Sequence, residues 1–301
     1  MTDHAGPVAQ FSSTLAAQVK AAENAVVAIR AGRGRHISGM VWRDDVVITS
    51  EQSLPRGDEF ELVAVGGAAQ TATVAGRDPS TNIAVLRPAT PIAPPSIAAG
   101  EALTGAMALA IGATSAGETS ARLGIVNLAG AEWHSNRGGL IDRRIVLDIR
   151  LARGEEGGPV FDASGGYLGM STFGPRGQVI AIPTATVERV VPLLLRDGRM
   201  ARGWLGVALQ AVAVPDALRE SAGQSSGLMV MSVAEGGPAA QAGIVAGDII
   251  LRVDATSTQR WRKVARHFGA DSIGRKVDLH LIRGGAVISV PATIAERPAD
   301  A

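Results

Sequence analysis

Apolar residues along the chain recur with two different periods. Over residues 8–24, Phe11, Leu15 and Val19 repeat every fourth position, which predicts an amphipathic helix. After that the apolar runs are short, predicting strands at 25–30, 39–42, 46–49, 61–65 and 83–86. Gly66-Gly67, Asp78-Pro79 and Pro94-Pro95 punctuate them as turns. Further strands are predicted at 106–111, 124–128, 145–148, 167–172 and 179–182, a spacing that suits a β-sandwich or barrel. Residues 184–196 return to helical spacing, with Pro192 inside predicting a bend, and Asp197-Gly198 end the element. From Gly203 the order changes: strands at 205–209 and 228–233, a short helix at 238–242, a strand at 249–253, a helix at 258–268, and strands at 276–283 and 287–292. That last stretch, about 95 residues, is domain-sized, and the boundary falls near residue 200.

Composition narrows the picture. At 301 residues the chain can hold two domains, and 46% hydrophobic with 19% charged residues suits folded rather than disordered protein. Aromatics make up only 3%, so Val, Leu, Ile and Ala must fill the core. The formal net charge is +1 and the arginines are scattered, which calls for neither nucleic acid nor an anionic membrane as partner. The absence of cysteine excludes disulfides, thiolate metal sites and cysteine nucleophiles, and nothing indicates a cofactor. The chain starts Met1-Thr2-Asp3-His4, without a basic and apolar leader, and its early apolar run at 25–29 is far too short to span a bilayer. The expectation is a cytoplasmic protein as written, without a membrane span, or a periplasmic one if a leader has been trimmed.

The stretch Gly154-Glu155-Glu156-Gly157-Gly158-Pro159-Val160 has the glycines of a tight loop whose backbone N–H groups can point at one spot. It resembles the nucleophile loop of HtrA/Deg-type proteases, trypsin-like enzymes in which this loop reads Gly-Asn-Ser-Gly-Gly-Pro. By that resemblance the serine position is Glu156, the asparagine position is Glu155, and Gly154, Glu155 and Gly157 form the former oxyanion loop. The segment Val47-Ile48-Thr49-Ser50-Glu51-Gln52-Ser53-Leu54 is similar to the family's catalytic-histidine turn, with Gln52 at the histidine position. Asp78-Pro79-Ser80-Thr81-Asn82-Ile83-Ala84-Val85-Leu86 resembles its catalytic-aspartate strand, with Asn82 at the aspartate position. Asp148 matches a further acidic position.

An acyl-transfer triad needs a nucleophile, a base and a group that orients the base. Glutamine has no titratable nitrogen, and asparagine in place of the orienting aspartate costs about 10⁴ in rate in chymotrypsin-type enzymes. A carboxylate beside oxyanion donors repels the charge they should stabilise. The expectation is a chain that is not an enzyme, with no catalytic residue, in which Glu156 fills the anion hole by accepting the loop N–H groups and the Gln52 amide. The His134-Ser135 pair lacks a glycine-rich loop and is expected to be a surface turn, and Glu155-Glu156 a solvated charge pair rather than a metal site.

Arg202-Gly203-Trp204-Leu205-Gly206-Val207 is similar to the opening of an HtrA PDZ domain, and the run from Gly237 to Ile250 follows that domain's short helix, turn and buried strand. The resemblance implies a mainly β protein: a trypsin-like double six-stranded β-barrel followed by a PDZ domain, an α+β unit of five to six strands in a partly open barrel with two helices. The expected domains are a helical segment 1–24, a protease-like domain 25–200, a PDZ domain 201–297 and a tail 298–301. It further implies β-augmentation by a peptide tail, its carboxylate on N–H groups near Trp204, Leu205, Gly206 and Val207. The predicted 258–268 helix, through Trp261, Val264, Ala265 and Phe268, would form the other wall, with Arg262, Arg266 and His267 solvated.

The expected partners are thus C-terminal tails of proteins or peptides, and the expected role that of a scaffold, assembly factor or chaperone. Two alternatives stay open: a serine-type endopeptidase with a remodelled site, and a regulatory subunit of an active relative. Family members often form trimers through aromatics of their N-terminal segment, which are mostly absent here, Phe11 apart; the resemblance implies a homo-trimer, and the regulatory alternative a hetero-assembly with another protein.

Overall fold

The computed structural model describes residues 6–298 apart from 33, 44, 97 and 261–263, and for 260, 265, 266 and 271 the backbone alone. Its contacts divide the chain into two units, Met1–Ser135 with Leu140–Met200, and Asn136–Gly139 with Ala201–Ala301.

The first unit opens with helix α1 (Pro7–Ala22), where proline takes the first turn, which needs no N–H from it. Six strands then close a barrel: β1 (Val26–Arg30), β2 (His36–Arg43), β3 (Val46–Ser50), β4 (Glu59–Ala64), β5 (Ala69–Asp78) and β6 (Ile83–Pro88), in the order β1-β2-β3-β6-β5-β4. A second closed barrel holds β7 (Met107–Ala113), β8 (Thr119–Gly130), β11 (Arg144–Asp148), β12 (Pro159–Asp162), β13 (Tyr167–Phe173) and β14 (Val179–Pro183), in the order β11-β14-β13-β12-β7-β8. Between β8 and β11 lies a small ribbon of β9 (Trp133–His134) and β10 (Leu140–Ile141). Helix α2 (Thr184–Asp197) follows β14 and buries Val187, Val190, Val191 and Leu194, one face at helical spacing.

The short apolar runs are strands buried on both faces. Val27 and Ile29 of β1 pack with Val41, Val47, Leu62 and Leu86. Their neighbours Val26 and Ala28 pack into another cluster with Ile111, Phe161, Met170 and the apolar face of α2. No strand is predicted where β5 lies. Its residues AQTATVAGRD are mostly small or polar and three of them are exposed, so no apolar run marks the strand that closes the first barrel.

The second unit carries a six-stranded sheet: β16 (Val207–Ala213), β17 (Ser226–Val233), β18 (Ile249–Val253), β20 (Lys276–Arg283) and β21 (Ala286–Thr293) in that order, with β19 (Thr256–Ser257) paired to β18. A ribbon of β15 (Gly203–Trp204) and β22 (Ala295–Glu296) accompanies it, with two one-turn helices, α3 (Arg219–Ala222) and α4 (Pro238–Gln241). The order places β16 at a sheet edge. The helix predicted at 258–268 is irregular in its described parts, with 3₁₀ turns at Thr258–Arg260 and Ala265–Phe268 and an α-helical residue, Val264, before the second. Thr258 is turned inward there, its hydroxyl donating to the carbonyls of Ile250 and Leu251. Among the described residues no helix is long and apolar enough to cross a membrane.

The chain is mainly β: two closed six-stranded barrels in the first unit and a six-stranded sheet with short helices in the second.

Candidate functional site

Strands β3 and β6 pair antiparallel with Ser50 opposite Ile83, so the turn after β3 lies beside the residue before β6. Gln52 and Asn82 meet there, the Gln52 N–H donating to Asn82 Oδ1 at 2.8 Å. Asp78 shapes that corner. Its buried carboxylate accepts from the backbone N–H and the hydroxyl of both Ser80 and Thr81. Asn82 then takes a φ of 61°, a left-handed conformation that asparagine adopts more readily than most residues.

Glu156 arrives from the loop between β11 and β12 and is 3% exposed. Its Oε1 accepts from Ser50 Oγ at 2.8 Å, Gln52 Nε2 at 2.7 Å, Thr172 Oγ1 at 2.7 Å and the Phe173 N–H at 3.2 Å. Its Oε2 accepts from Ser53 Oγ. A carboxylate oxygen offers about two lone-pair sites, so Oε1 is fully satisfied while Oε2 has one donor. Asn82 Nδ2 donates to Ser50 Oγ at 3.0 Å and Thr172 Oγ1 at 2.7 Å, and each hydroxyl passes its own hydrogen on to Glu156. Burial pushes the Glu156 carboxyl up, but hydrogen bonds from Ser53, Thr172, Gln52 and Ser50 outweigh it and hold the pKa below the ordinary 4.5. The Glu156 side chain is therefore an anion at neutral pH.

The loop N–H groups do not fill the role expected of them. Glu155 N–H donates to Ala152 O at 3.0 Å, Glu156 N–H to Arg153 O at 3.4 Å, and Gly157 N–H to Ser171 O at 2.9 Å. They close a 3₁₀ turn, Arg153–Glu155, and tie the loop to β13, while side-chain hydroxyls and the Gln52 amide satisfy Glu156 instead. Gly157 is required by this path: its φ is +94°, and an added Cβ would sit 2.2 Å from Ser38 O. Gly154 is the middle residue of that turn, its Cα facing the His36 ring so closely that a Cβ there would lie 2.5 Å from Nε2.

Glu155 is not solvated as expected. It is 6% exposed, receiving Arg122 Nε at 3.0 and 3.1 Å, Ser120 Oγ at 3.0 Å and Ala152 N–H at 2.7 Å. Arg122 comes from β8, far along the chain, so nothing near Glu155 announced the pair. Among the described residues no group of three or more His, Asp or Glu is placed to hold a metal ion. His134 stands in β9 opposite Leu140. A cleft of about 840 Å³ opens over the Gln52–Glu156 network, bordered by His36, Ser53, Arg153 and Phe173. The hydroxyls of Ser50 and Ser53 lie in the same segment as Gln52, yet only the arrival of Glu156 from the loop between β11 and β12 gives them a role.

The second unit has its own cleft of about 380 Å³, lined by the loop Trp204 to Val207, by Leu209, Leu228 and Ile250 of the sheet, and by Val264 and Phe268. The carbonyl of Leu205 accepts from Ala239 N–H and that of Gly206 from Ala234 N–H, both at 2.8 Å. Across a planar trans peptide the following N–H points the opposite way. The N–H groups of Gly206 and Val207 are therefore turned away from Ala239 and Ala234. Gly206 has a φ of +77°, and a Cβ there would lie 3.1 Å from the Trp204 ring. Leu205 is 6% exposed and Val264 is 1% exposed. Ala265 lies on the 3₁₀ turn with only its backbone described, and Trp261 and Arg262 fall outside the described residues. His267, expected to be solvated, keeps only 20% of its side chain exposed.

Residues 37–170 match the family model of a trypsin-like peptidase domain and residues 203–294 that of a PDZ domain. The chain is 32% identical over 278 residues to a probable periplasmic serine endoprotease, DegP-like, of Brucella suis biovar 1 (strain 1330), covering 87% of this chain and 53% of that protein. It is 30% identical over 268 residues to the protein of the same name in Bartonella henselae, covering 85% and 52%. It thus spans about half the length of these curated relatives. Among solved structures, the HtrA-type protease AlgW with a decapeptide superposes with a TM-score of 0.68 at 25% identity, covering 94% of this chain and 98% of that one. The serine endoprotease from Yersinia pestis does so at 0.68 and 27%, covering 93% and 97%.

Two expectations do not stand against these findings. The relatives are named serine endoproteases, which contradicts a chain that is not an enzyme. Three side chains carried that expectation, whereas the likeness to the named endoproteases extends over 278 residues. The same relatives are named periplasmic, which contradicts the cytoplasmic placement. In a chain spanning half of its relatives, the residues at its start carry no weight for compartment.

Proposed function

The chain belongs to the HtrA-type family of trypsin-like peptidases with a PDZ domain, and from that premise we propose that it acts in the periplasm by capturing the C-terminal tails of proteins in the cleft of its second unit. The observation that carries the reading is the conjunction of an edge strand, β16, with a loop whose Gly206 and Val207 N–H groups are turned away from the peptides that anchor it. An extended tail adds to the free side of β16, its carboxylate meets those N–H groups, and its last side chain enters the apolar cleft between Leu228, Val264 and Phe268. Trp204, Leu205 and Val207 shape the entrance. The decapeptide named with AlgW supports a peptide ligand in a protein of the same architecture.

A second reading, serine-type endopeptidase activity with a remodelled site, is favoured by the names of the relatives. With amides at Gln52 and Asn82 and an anion at Glu156, cleavage would draw its nucleophile from elsewhere in the cleft. The serine hydroxyl bordering that cleft is Ser53, already hydrogen-bonded to Glu156.

One experiment addresses both readings. The intact chain is offered a library of free-carboxylate decapeptides, and separately casein. Selective binding of tails supports the first reading, and no binding by any tail overturns it. Casein cleavage that disappears in Ser53→Ala supports the second. Intact casein after prolonged incubation contradicts it.

A further inference from the structure

His267 is held on both ring nitrogens. Nε2 lies 2.9 Å from Thr256 Oγ1, and Nδ1 lies 3.0 Å from Arg275 Nη2. Arginine only donates, so Nδ1 is the acceptor and the ring proton sits on Nε2, shared with Thr256. The Asp254 carboxylate stands 3.8 Å from Nδ1 and 3.5 Å from Arg275 Nη1. Among the described side chains, the charged groups facing the ring are therefore Arg275, from the turn before β20, and Asp254, from the turn after β18. Burial lowers the His267 pKa, Arg275 lowers it further and Asp254 opposes them, with a net value below the ordinary 6.5.

This ring ties three segments together. Thr256 begins β19, Arg275 leads into β20, and His267 belongs to the 3₁₀ turn Ala265–Phe268. Val264 stands just before that turn and Phe268 at its end, and both border the tail cleft. Gly203 of β15 packs so close behind that a Cβ there would lie 3.1 Å from Phe268 Cα. The same strand runs into the Leu205–Gly206 loop, so the wall held by His267 adjoins both the apolar cleft and the N–H groups at its entrance.

We propose that His267 is a proton-operated latch on the tail cleft, closed when the ring is neutral and released when it is protonated. The proposal rests on the tail-binding reading given above. Once Nδ1 carries a proton it can no longer accept from Arg275, and two cations face each other across 3.0 Å. Asp254 offsets part of that repulsion, and the bond from Arg275 is lost. The fold favours the neutral ring, so the unfolded state binds the extra proton first as pH falls. The latch is fully held above the ordinary histidine value and lost as pH drops through the lower folded one. A captured tail is let go on acidification.

The test uses the intact chain, wild type and His267→Gln, with a fluorescein-labelled decapeptide ending in Ala-Leu-Val and a free carboxylate. Between pH 7.5 and 5.0 the wild-type Kd is expected to weaken about five- to tenfold, the equivalent of roughly one pKa unit of coupling, while the variant stays within about twofold. A wild-type Kd that holds steady, or a variant that weakens in parallel, overturns the latch. Without peptide, hydrogen-exchange protection of residues 264–268 is followed over the same range. A fall in the wild type that His267→Gln lacks supports the latch even where no peptide binds at pH 7.5, an outcome that counts against tail capture alone. Protection unchanged in the wild type overturns the latch whatever the peptide does.

Discussion

At Glu156 a carboxylate is buried and stays charged because both of its oxygens accept hydrogen bonds. Burial alone raises its pKa; the hydroxyls of Ser50, Ser53 and Thr172 and the Gln52 amide reverse that direction. Removing the carboxylate leaves those donors facing an empty space. We expect Glu156→Ala to destabilise the first unit by about 2–4 kcal/mol, read from urea unfolding. The sign with pH follows from the lowered pKa. The carboxylate contributes its full stability above the ordinary 4.5 and loses it as pH falls through the lower folded value. The difference between wild type and Glu156→Gln should therefore shrink on acidification below pH 4.5, and a constant difference down to pH 2.5 contradicts the charged state. The three positions Gln52, Asn82 and Glu156 were legible because each lies in a local segment with a recognisable pattern. Their partners were not: Thr172 joins from β13 and Arg122 reaches Glu155 from β8, through barrel closure that no local pattern encodes.

Among the elements, apolar runs buried on both faces were easy to place, and β18 and β20 stand within the predicted bounds. Strand β5 escaped because its closure of the barrel depends on backbone pairing with β4 and β6 rather than on an apolar stripe. The 258–268 segment was legible only in part. Its apolar spacing is helical and Val264 is α-helical, but Thr258 spends its hydroxyl on β18 carbonyls and the described backbone on either side turns as 3₁₀. The segment matters for function, since it supplies one border of the tail cleft. Phe268→Ala removes apolar surface from the cleft and should weaken tail binding about tenfold while leaving the thermal unfolding of the first unit unchanged, as read by anisotropy and calorimetry. Undiminished affinity would place the peptide elsewhere.

In the whole molecule the buried clusters divide by unit. Met170 packs with the barrels and α2, and Leu279 packs with the sheet of the second unit. Met170→Ala and Leu279→Ala should each cost about 2–5 kcal/mol in the unit that holds them, seen as separate shifts in hydrogen-exchange protection. The family was readable from glycine-containing loops because those residues set backbone paths as well as chemistry. The compartment was not, because it is carried by segments that need not belong to the folded units.

Tail capture is tested most directly by a pair of decapeptides of identical sequence, one ending in a free carboxylate and the other in a carboxamide, titrated against the intact chain. Recognition through the Gly206 and Val207 N–H groups predicts that the carboxamide binds at least about tenfold more weakly, since a charged acceptor is lost from those donors. It also predicts that Gly206→Ala, which strains a left-handed residue beside the Trp204 ring, abolishes the difference. Equal affinity for the two peptides would contradict the account.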